Sequence, residues 1–251
     1  MVMEMQRYFS NKLKDNKFEL RNDDVYHITR VMRMKSGDNI EVVCDEKVYL
    51  CCIDFVNGNL EVNVIKCHEK SDEKIIEKVL IIPLLKETKM DLILQKATEL
   101  GVNKIIPVEM ERSIIKLNKE KEEKKIERWM RIVKEASEQS MRVNIPIITE
   151  VKKMNELENE TGLKLVCSTK EKENTIKMFL QSHKSYDKIN IVIGPEGGIS
   201  PKEEEYLNSI GFKSVSLGKN IMRVETVPLY ILSVLNYENM EWYYEFINEY
   251  Y

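Results

Sequence analysis

The chain has 251 residues, 43% of them hydrophobic, and a formal net charge of −3. That hydrophobic fraction suffices for a sizeable core and excludes bulk disorder. The near-balanced charge excludes a globally basic coat, so any nucleic-acid surface must be local. No run approaches the roughly 18 apolar residues of a membrane span. The start, Met1-Val2-Met3-Glu4-Met5-Gln6-Arg7, lacks a signal-peptide apolar core, and a cytoplasmic protein is expected. The five cysteines form no C-x-x-C pair and the three histidines, His27, His68 and His183, are scattered. Reduced thiols and no metal site are therefore expected.

Residues 6–9 and 18–21 are short strand candidates, and Asp23-Asp24 opens a helix to about Met34 with an apolar stripe of Val25, Ile28, Val31 and Met32. Strands are expected over 39–44, 47–55 and 60–67, with hairpin turns at Asp45-Glu46 and Asn57-Gly58-Asn59. Cys51 and Cys52 would then point to opposite faces of one strand. Strands this short and numerous usually close into a small barrel. Arg7, Arg21, Arg30, Arg33 and Lys35 make this part locally basic. Arg30 and Arg33 stand at i, i+3, which suits phosphate contacts or an ordinary solvated helix face.

The charged stretch 68–76 reads as a linker, which gives domains of 1–72 and 73–251. Strand and helix then alternate. Strands are expected at 79–85, 103–108, 145–150, 163–167, 189–193 and 213–217. Helices are expected at 89–100, closed by Gly101, and at 118–140, 154–160, 174–182, from Ser200 and from Glu225. Such alternation predicts a doubly wound α/β sheet.

Two strand-end loops stand out, since ligands bind at the carboxyl ends of strands in such sheets. The first is Gly194-Pro195-Glu196-Gly197-Gly198. Ser200, Pro201 and Glu203 then compose a capping box for the next helix. The loop lacks the Walker and G-x-G-x-x-G spacings and carries carboxylates. It is either a ligand loop for a neutral or cationic molecule or a plain glycine turn. The second loop runs over 218–223.

GPEGGIS-x-x-E followed by LG-x-x-IMRVET resembles the RsmE family of SPOUT (trefoil-knot) RNA methyltransferases. The likeness continues in Lys89-Met90 with Gln95-Lys96 and Glu99-Leu100-Gly101, and in Glu111-Arg112-Ser113. It also includes Glu135-Ala136 with Glu138-Gln139-Ser140, Arg142 and Pro146, and His27 with Arg30-Val31 and Arg33-Met34. The motifs lie in order over most of the chain. Asn220, Met222, Val224 and Pro228 depart from the family's usual Arg, Leu, Thr and Ala; these changes bear on specificity rather than activity.

The resemblance implies a SPOUT trefoil-knot domain, Rossmann-like and parallel, with its knot at about 163–235, behind a small N-terminal PUA-like β-barrel. It implies S-adenosylmethionine as cofactor and N3 of a uridine in 16S ribosomal RNA as target. The partner would be 16S RNA or the small ribosomal subunit. The cofactor would sit on Gly194, Pro195, Glu196, Gly197 and Gly198, and on Leu217, Gly218, Ile221, Met222 and Arg223. Arg223, Arg142 and Glu196 are the catalytic candidates, and Arg7, Arg30, Arg33 and Arg112 the RNA contacts. Arg223 either contacts the target base or stiffens its loop by pairing with Glu225 or Glu196. The alternatives are a SPOUT enzyme acting on another RNA and a non-catalytic RNA-binding protein.

The last helix is apolar all round through Leu229, Tyr230, Ile231, Leu232, Val234 and Leu235, with Tyr237, Met240, Trp242, Tyr243 and Phe246 beyond. It predicts a homodimer through the C-terminal helix, the alternative being a helix tucked under the N-terminal domain. The resemblance to SPOUT enzymes, whose dimers commonly bring one subunit's residues to the other's cofactor pocket, implies that Arg142 or Glu138 would then serve the partner's site.

Overall fold

The computed structural model describes residues 5–68 and 76–239. The linker expected at 68–76 falls almost wholly outside them, as do Met240, Trp242, Tyr243 and Phe246. The chain divides into two compact units, 1–74 with 133–145, and 75–132 with 146–251. The second half of the long helix thus groups with the first unit, although the sequence reading gave it to the second.

The first unit carries β1 (Arg7–Phe9), β2 (Leu13–Lys14), β3 (Lys17–Phe18), α1 (Asn22–Tyr26), β4 (Asn39–Cys44), β5 (Lys47–Val56) and β6 (Asn59–His68). They form one sheet in the order β1-β4-β5-β6-β3-β2, antiparallel except where β1 runs parallel to β4. Three two-residue turns, Asp15-Asn16, Asp45-Glu46 and Asn57-Gly58, hold both residues at positive φ. That conformation matches the twist of the strands they join. Ile28, Ile40, Val42, Cys51, Ile53 and Val62 are fully buried or nearly so. Cys52 is only half-buried, which is the alternation expected of neighbours in a strand. Cys67, by contrast, is exposed.

The helix expected from Asp23 to Met34 is interrupted. After α1 the chain widens into a π-helical turn, His27–Val31, where Thr29 Oγ1 donates back to the Val25 carbonyl at 2.8 Å. The changed pitch breaks the apolar stripe: Ile28 is buried, whereas Val31 is 57% exposed. Arg33 lies beyond the turn at φ +54°. Arg30 and Arg33 are both exposed but do not share a helix face.

Polar groups inside this unit are paired with one another. Arg7 donates from Nη2 to Glu41 at 2.6 Å and from Nη1 to the carbonyls of Met141 and Arg142. Lys134 bridges Asp24 at 2.6 Å and Glu138 at 2.5 Å. Burial, against the pull of Lys134, pushes the Glu138 carboxyl up to about 7. The same burial, with Glu138 and Asp24 beside it, raises the Tyr8 phenol.

The second unit holds β7 (Glu77–Pro83), α2 (Glu87–Glu99), β8 (Lys104–Glu109), the part of α3 (Lys119–Gln139) up to Ile132, β9 (Ile147–Ile148), β10 (Lys152–Lys153), β11 (Leu163–Cys167), α4 (Ile176–Ser182), β12 (Lys188–Ile193), α5 (Pro201–Ser209), β13 (Lys213–Val215) and α6 (Thr226–Glu238). The sheet order is β10-β8-β7-β12-β11-β13, all parallel, with β9 also on β8. The strand expected over 145–150 is cut to two residues, because Pro146 has no N–H for a ladder. The short helix expected at 154–160 is a 3-10 turn, Met154–Leu157. Alternate residues of the central strands feed opposite faces. Val79, Ile81, Ile106, Val108 and Val192 pack with Leu207 and Phe212 on one side. Leu80 and Ile82 bury on the other.

α6 is not apolar all round. Pro228, Ile231, Leu232 and Leu235 are buried, while Thr226, Tyr230, Ser233 and Tyr237 make an exposed stripe. Asn236 donates to the Leu100 carbonyl at 3.0 Å and so ties α6 to the end of α2.

Candidate active site

Register decides where the site forms. Cys167 of β11 stands level with Ile193 of β12 and with Val215 of β13. The loops leaving these three strands therefore open on one sheet edge, where backbone amides and short side chains converge. A cleft of about 620 Å³ lies there, within the roughly 300–1,000 Å³ of small-molecule sites. Gly194 to Ile199 form one wall, Ile221 to Val224 and Val227 a second, and Cys167 to Lys170 a third. Lys89 of α2 and Arg112 complete it.

The glycine loop is shaped by close packing. A Cβ on Gly194 would stand 2.7 Å from Ile199 Cγ1, and one on Gly197 would stand 3.3 Å from Arg112 Cβ. Gly198 sits at φ +72° and donates to the Pro195 carbonyl at 2.8 Å. The capping box forms as its residues predict: Ser200 Oγ accepts from the Glu203 amide, and Glu203 Oε2 accepts from the Ser200 amide at 3.0 Å. Glu203 Oε1 also accepts from the Glu111 amide at 2.7 Å, pinning the segment that carries Arg112. Arg112 Nη1 then donates to the Gly197 carbonyl at 2.8 Å. Arg112 is thus a wall of the cleft, a role that distance along the chain concealed.

The site's charges divide into paired and unpaired. Lys89 Nζ lies 2.5 Å from Glu196 Oε1 and 3.1 Å from Glu225 Oε2. These two carboxylates, Glu196 first, raise the lysine's pKa. Lys170 pairs with Glu204 at 2.8 Å. Burial works against ionised Glu204, yet its bonds to Lys170 and Ser168 hold its carboxyl below the usual range. Arg223 is exposed; its carbonyl accepts from the Thr226 and Val227 amides, but its guanidinium makes no hydrogen bond or ion pair with another described residue. The stiffening role weighed for Arg223 is therefore filled by Lys89. Burial pushes the Cys167 thiol up to about 12, which disfavours a nucleophilic thiolate.

Other expected site residues lie elsewhere. Leu217 and Gly218 do not line the cleft; Gly218, at φ +123°, turns the chain away from β13. Arg142 belongs to the first unit, past the end of α3, where Met141 at φ +55° closes the helix. It donates to Asn144 Oδ1 at 2.7 Å, and burial lowers its pKa to about 10. Glu138, bonded to Lys134, is likewise engaged within the first unit. Arg7 is held by Glu41 and leaves the set of surface cations. The sequence reading missed Lys89 and the loop Cys167-Ser168-Thr169-Lys170. The one local signal for that loop was its polar run directly after an apolar strand.

Known proteins agree with this arrangement. The model of an RNA methyltransferase domain matches residues 71–236, and that of an RNA methyltransferase PUA domain matches residues 20–60. The Bacillus subtilis ribosomal RNA small subunit methyltransferase E is 35% identical over 93% of this chain and 97% of its own. The Aquifex aeolicus protein of the same name is 33% identical over 92% and 99%. A Neisseria gonorrhoeae methyltransferase E, solved bound to S-adenosyl methionine, superposes with a TM-score of 0.82 at 29% identity, covering 93% of this chain and 97% of that one. A Legionella pneumophila protein, solved with the same cofactor, gives 0.85 at 28% identity, covering 94% and 98%.

The fold and cleft define an RNA methyltransferase of the SPOUT, or trefoil-knot, class with a PUA-like N-terminal barrel. Within that class the chain belongs to the ribosomal RNA small subunit methyltransferase E family.

The cleft suits the cofactor of those relatives. Ile193, Ile199, Val224 and Val227 give an apolar floor for a purine. No backbone-to-backbone bond starts from the amides of Ile221 or Met222 among the described residues, which leaves donors for its ring nitrogens. Carboxylates at the rim suit its positive charge.

Proposed function

We propose that this enzyme methylates N3 of a uridine in 16S ribosomal RNA with S-adenosylmethionine as donor, acting in the cytoplasm on that RNA or the small ribosomal subunit. The observation that carries the reading is Arg223, a cation on the rim of the cleft whose guanidinium has no partner among the described residues, whereas Lys89 and Lys170 are held by carboxylates. The cofactor supplies a methyl group already activated on a sulfonium. The protein must hold it against the base, exclude water and favour loss of the N3 proton. Gly194, Pro195, Gly197, Gly198, Ile221 and Met222 would hold it. Arg223 would stabilise the charge that spreads onto the uracil carbonyl oxygens once N3 loses its proton. Glu196 serves through Lys89 rather than as a base. Arg30 and Arg33, exposed on the barrel, would position the RNA through its phosphates.

We also propose that the knot spans about 163–235. Two features support it. β13 follows β12 in sequence yet pairs with β11, and Ser216 bridges Thr175. The stripe Thr226, Tyr230, Ser233 and Tyr237 is proposed as the surface through which α6 builds a homodimer; exposed tyrosines are favoured at such surfaces. Mass mapping of modified uridines in ribosomal RNA, from a deletion strain with and without this gene, tests the activity. Identical maps would refute it. Sedimentation at micromolar concentration tests the dimer, which a monomer would refute.

A further inference from the structure

We infer that Lys89 is a positioning residue for Arg223: by holding both carboxylates at the cleft mouth it keeps the arginine unpaired and available to the RNA base. This rests on the role given to Arg223 above.

Lys89 and Arg223 could each pair with Glu196 or Glu225 at this mouth, and only the two pairings to Lys89 form. Lys89 Nζ reaches Glu196 on the glycine loop and Glu225 at the start of α6. Glu225 stands two residues from Arg223. Its carboxyl is held below the usual range by its own backbone N–H first, then by Lys89, and in part by the charge of Arg223. The arginine therefore already acts on Glu225 across space without bonding to it.

One ammonium facing two carboxylates leaves a local excess of one negative charge. Remove the ammonium and both carboxylates need a cation. A guanidinium answers a carboxylate with two parallel hydrogen bonds. Arg223 is the unpaired candidate among the described cleft residues. Lys89 can hold its place because α2 is anchored by Met90, Ile93 and Leu94, all buried to 1% exposure or less. Its side chain works from a rigid support, whereas Glu196 sits within the glycine loop and Glu225 where the second loop meets α6.

The test compares Lys89→Met, Lys89→Arg and Lys89→Met/Glu225→Gln with wild type. Two readouts are used: steady-state methyl transfer, and hydrogen exchange of the Arg223 Nε–H by NMR in protein without cofactor, assigned with Arg223→Lys. Lys89→Met should lower kcat about 10²-fold, the loss typical of one charge-stabilising donor, with a smaller change in cofactor KM. Its Arg223 Nε–H should exchange more slowly than in wild type. Lys89→Arg should stay near wild type. Lys89→Met/Glu225→Gln should recover most of kcat and restore fast exchange, which a merely structural lysine would not allow. Unchanged exchange in Lys89→Met, or an active wild type whose Lys89→Met loss Glu225→Gln leaves unrecovered, would overturn the inference. An inactive wild type with slowed exchange in Lys89→Met would instead overturn the assigned reaction and leave the pairing intact.

Discussion

The first unit and the cleft of the second handle cations in opposite ways. Inside the first unit, Arg7 is bound to Glu41, Lys134 to Asp24 and Glu138, and Arg142 to Asn144. Each is at least partly withdrawn from solvent; Arg7 with Glu41 and Lys134 with Asp24 join segments far apart in sequence, whereas Arg142 closes a local turn on Asn144. At the cleft, Lys89 and Lys170 absorb the carboxylates while Arg223 stands exposed without a partner. Three of the candidate site arginines, Arg7, Arg142 and Arg223, look alike in the sequence. Their partners separate two that hold the fold from one that is available for chemistry.

The comparison can be broken at its most buried point first. Lys134→Met removes the ammonium from between two carboxylates. Breaking a buried pair costs about 3–5 kcal/mol, and the lower end is expected because Glu138 can take a proton. Chemical denaturation should show that loss, and Glu138→Gln added to Lys134→Met should recover part of it. A change near zero would mean the cluster is solvated. Arg223→Ala comes next. It should lower kcat about 10²–10³-fold while calorimetry finds cofactor binding intact. An unchanged kcat would place Arg223 with the structural arginines.

The pH dependence of stability should also divide between the units. The folded Glu138 titrates near 7, above its ordinary value of 4.5. Its stabilising contribution is complete below about 4.5 and is lost as pH rises through about 7. At 1.36 kcal/mol per pH unit that is at most about 3 kcal/mol. Glu160 and Glu204 of the second unit are held below their ordinary range by lysine partners that overcome burial. Their contribution is present above that range and is lost as pH falls. Thermal melts from pH 4 to pH 8 should therefore flatten at the alkaline side in Glu138→Gln; a variant that still loses stability from pH 5 to pH 8 as wild type does would contradict the assignment. The smallest effect is expected on the barrel surface. Replacing Arg30 and Arg33 together should reduce the salt slope of RNA binding by about 0.7–0.9 per lost phosphate contact. An unchanged slope would remove both from the RNA surface.

Much of the architecture is determined by the sequence alone, because its signals are local. β4, β5 and β6 follow from alternating side chains, and their turns from residues that accept positive φ. β11, β12 and the capping box at Ser200 follow from β-branched runs and from side-chain oxygens placed three residues before the amides they cap. The glycine loop could be located for the same reason. What no local pattern contains is the partner of each charge. The π turn after Tyr26 moved Arg33 off the helix, and Arg7 turned inward to Glu41. The register of β11 against β12 brought Ser168 and Lys170 to the cleft. Lys89 lies 107 residues from Glu196 along the chain. Electrostatic pairing acts through space and is decided by which segments the tertiary fold brings within a few ångströms. Only the folded structure could show that Lys89 is engaged and Arg223 is not.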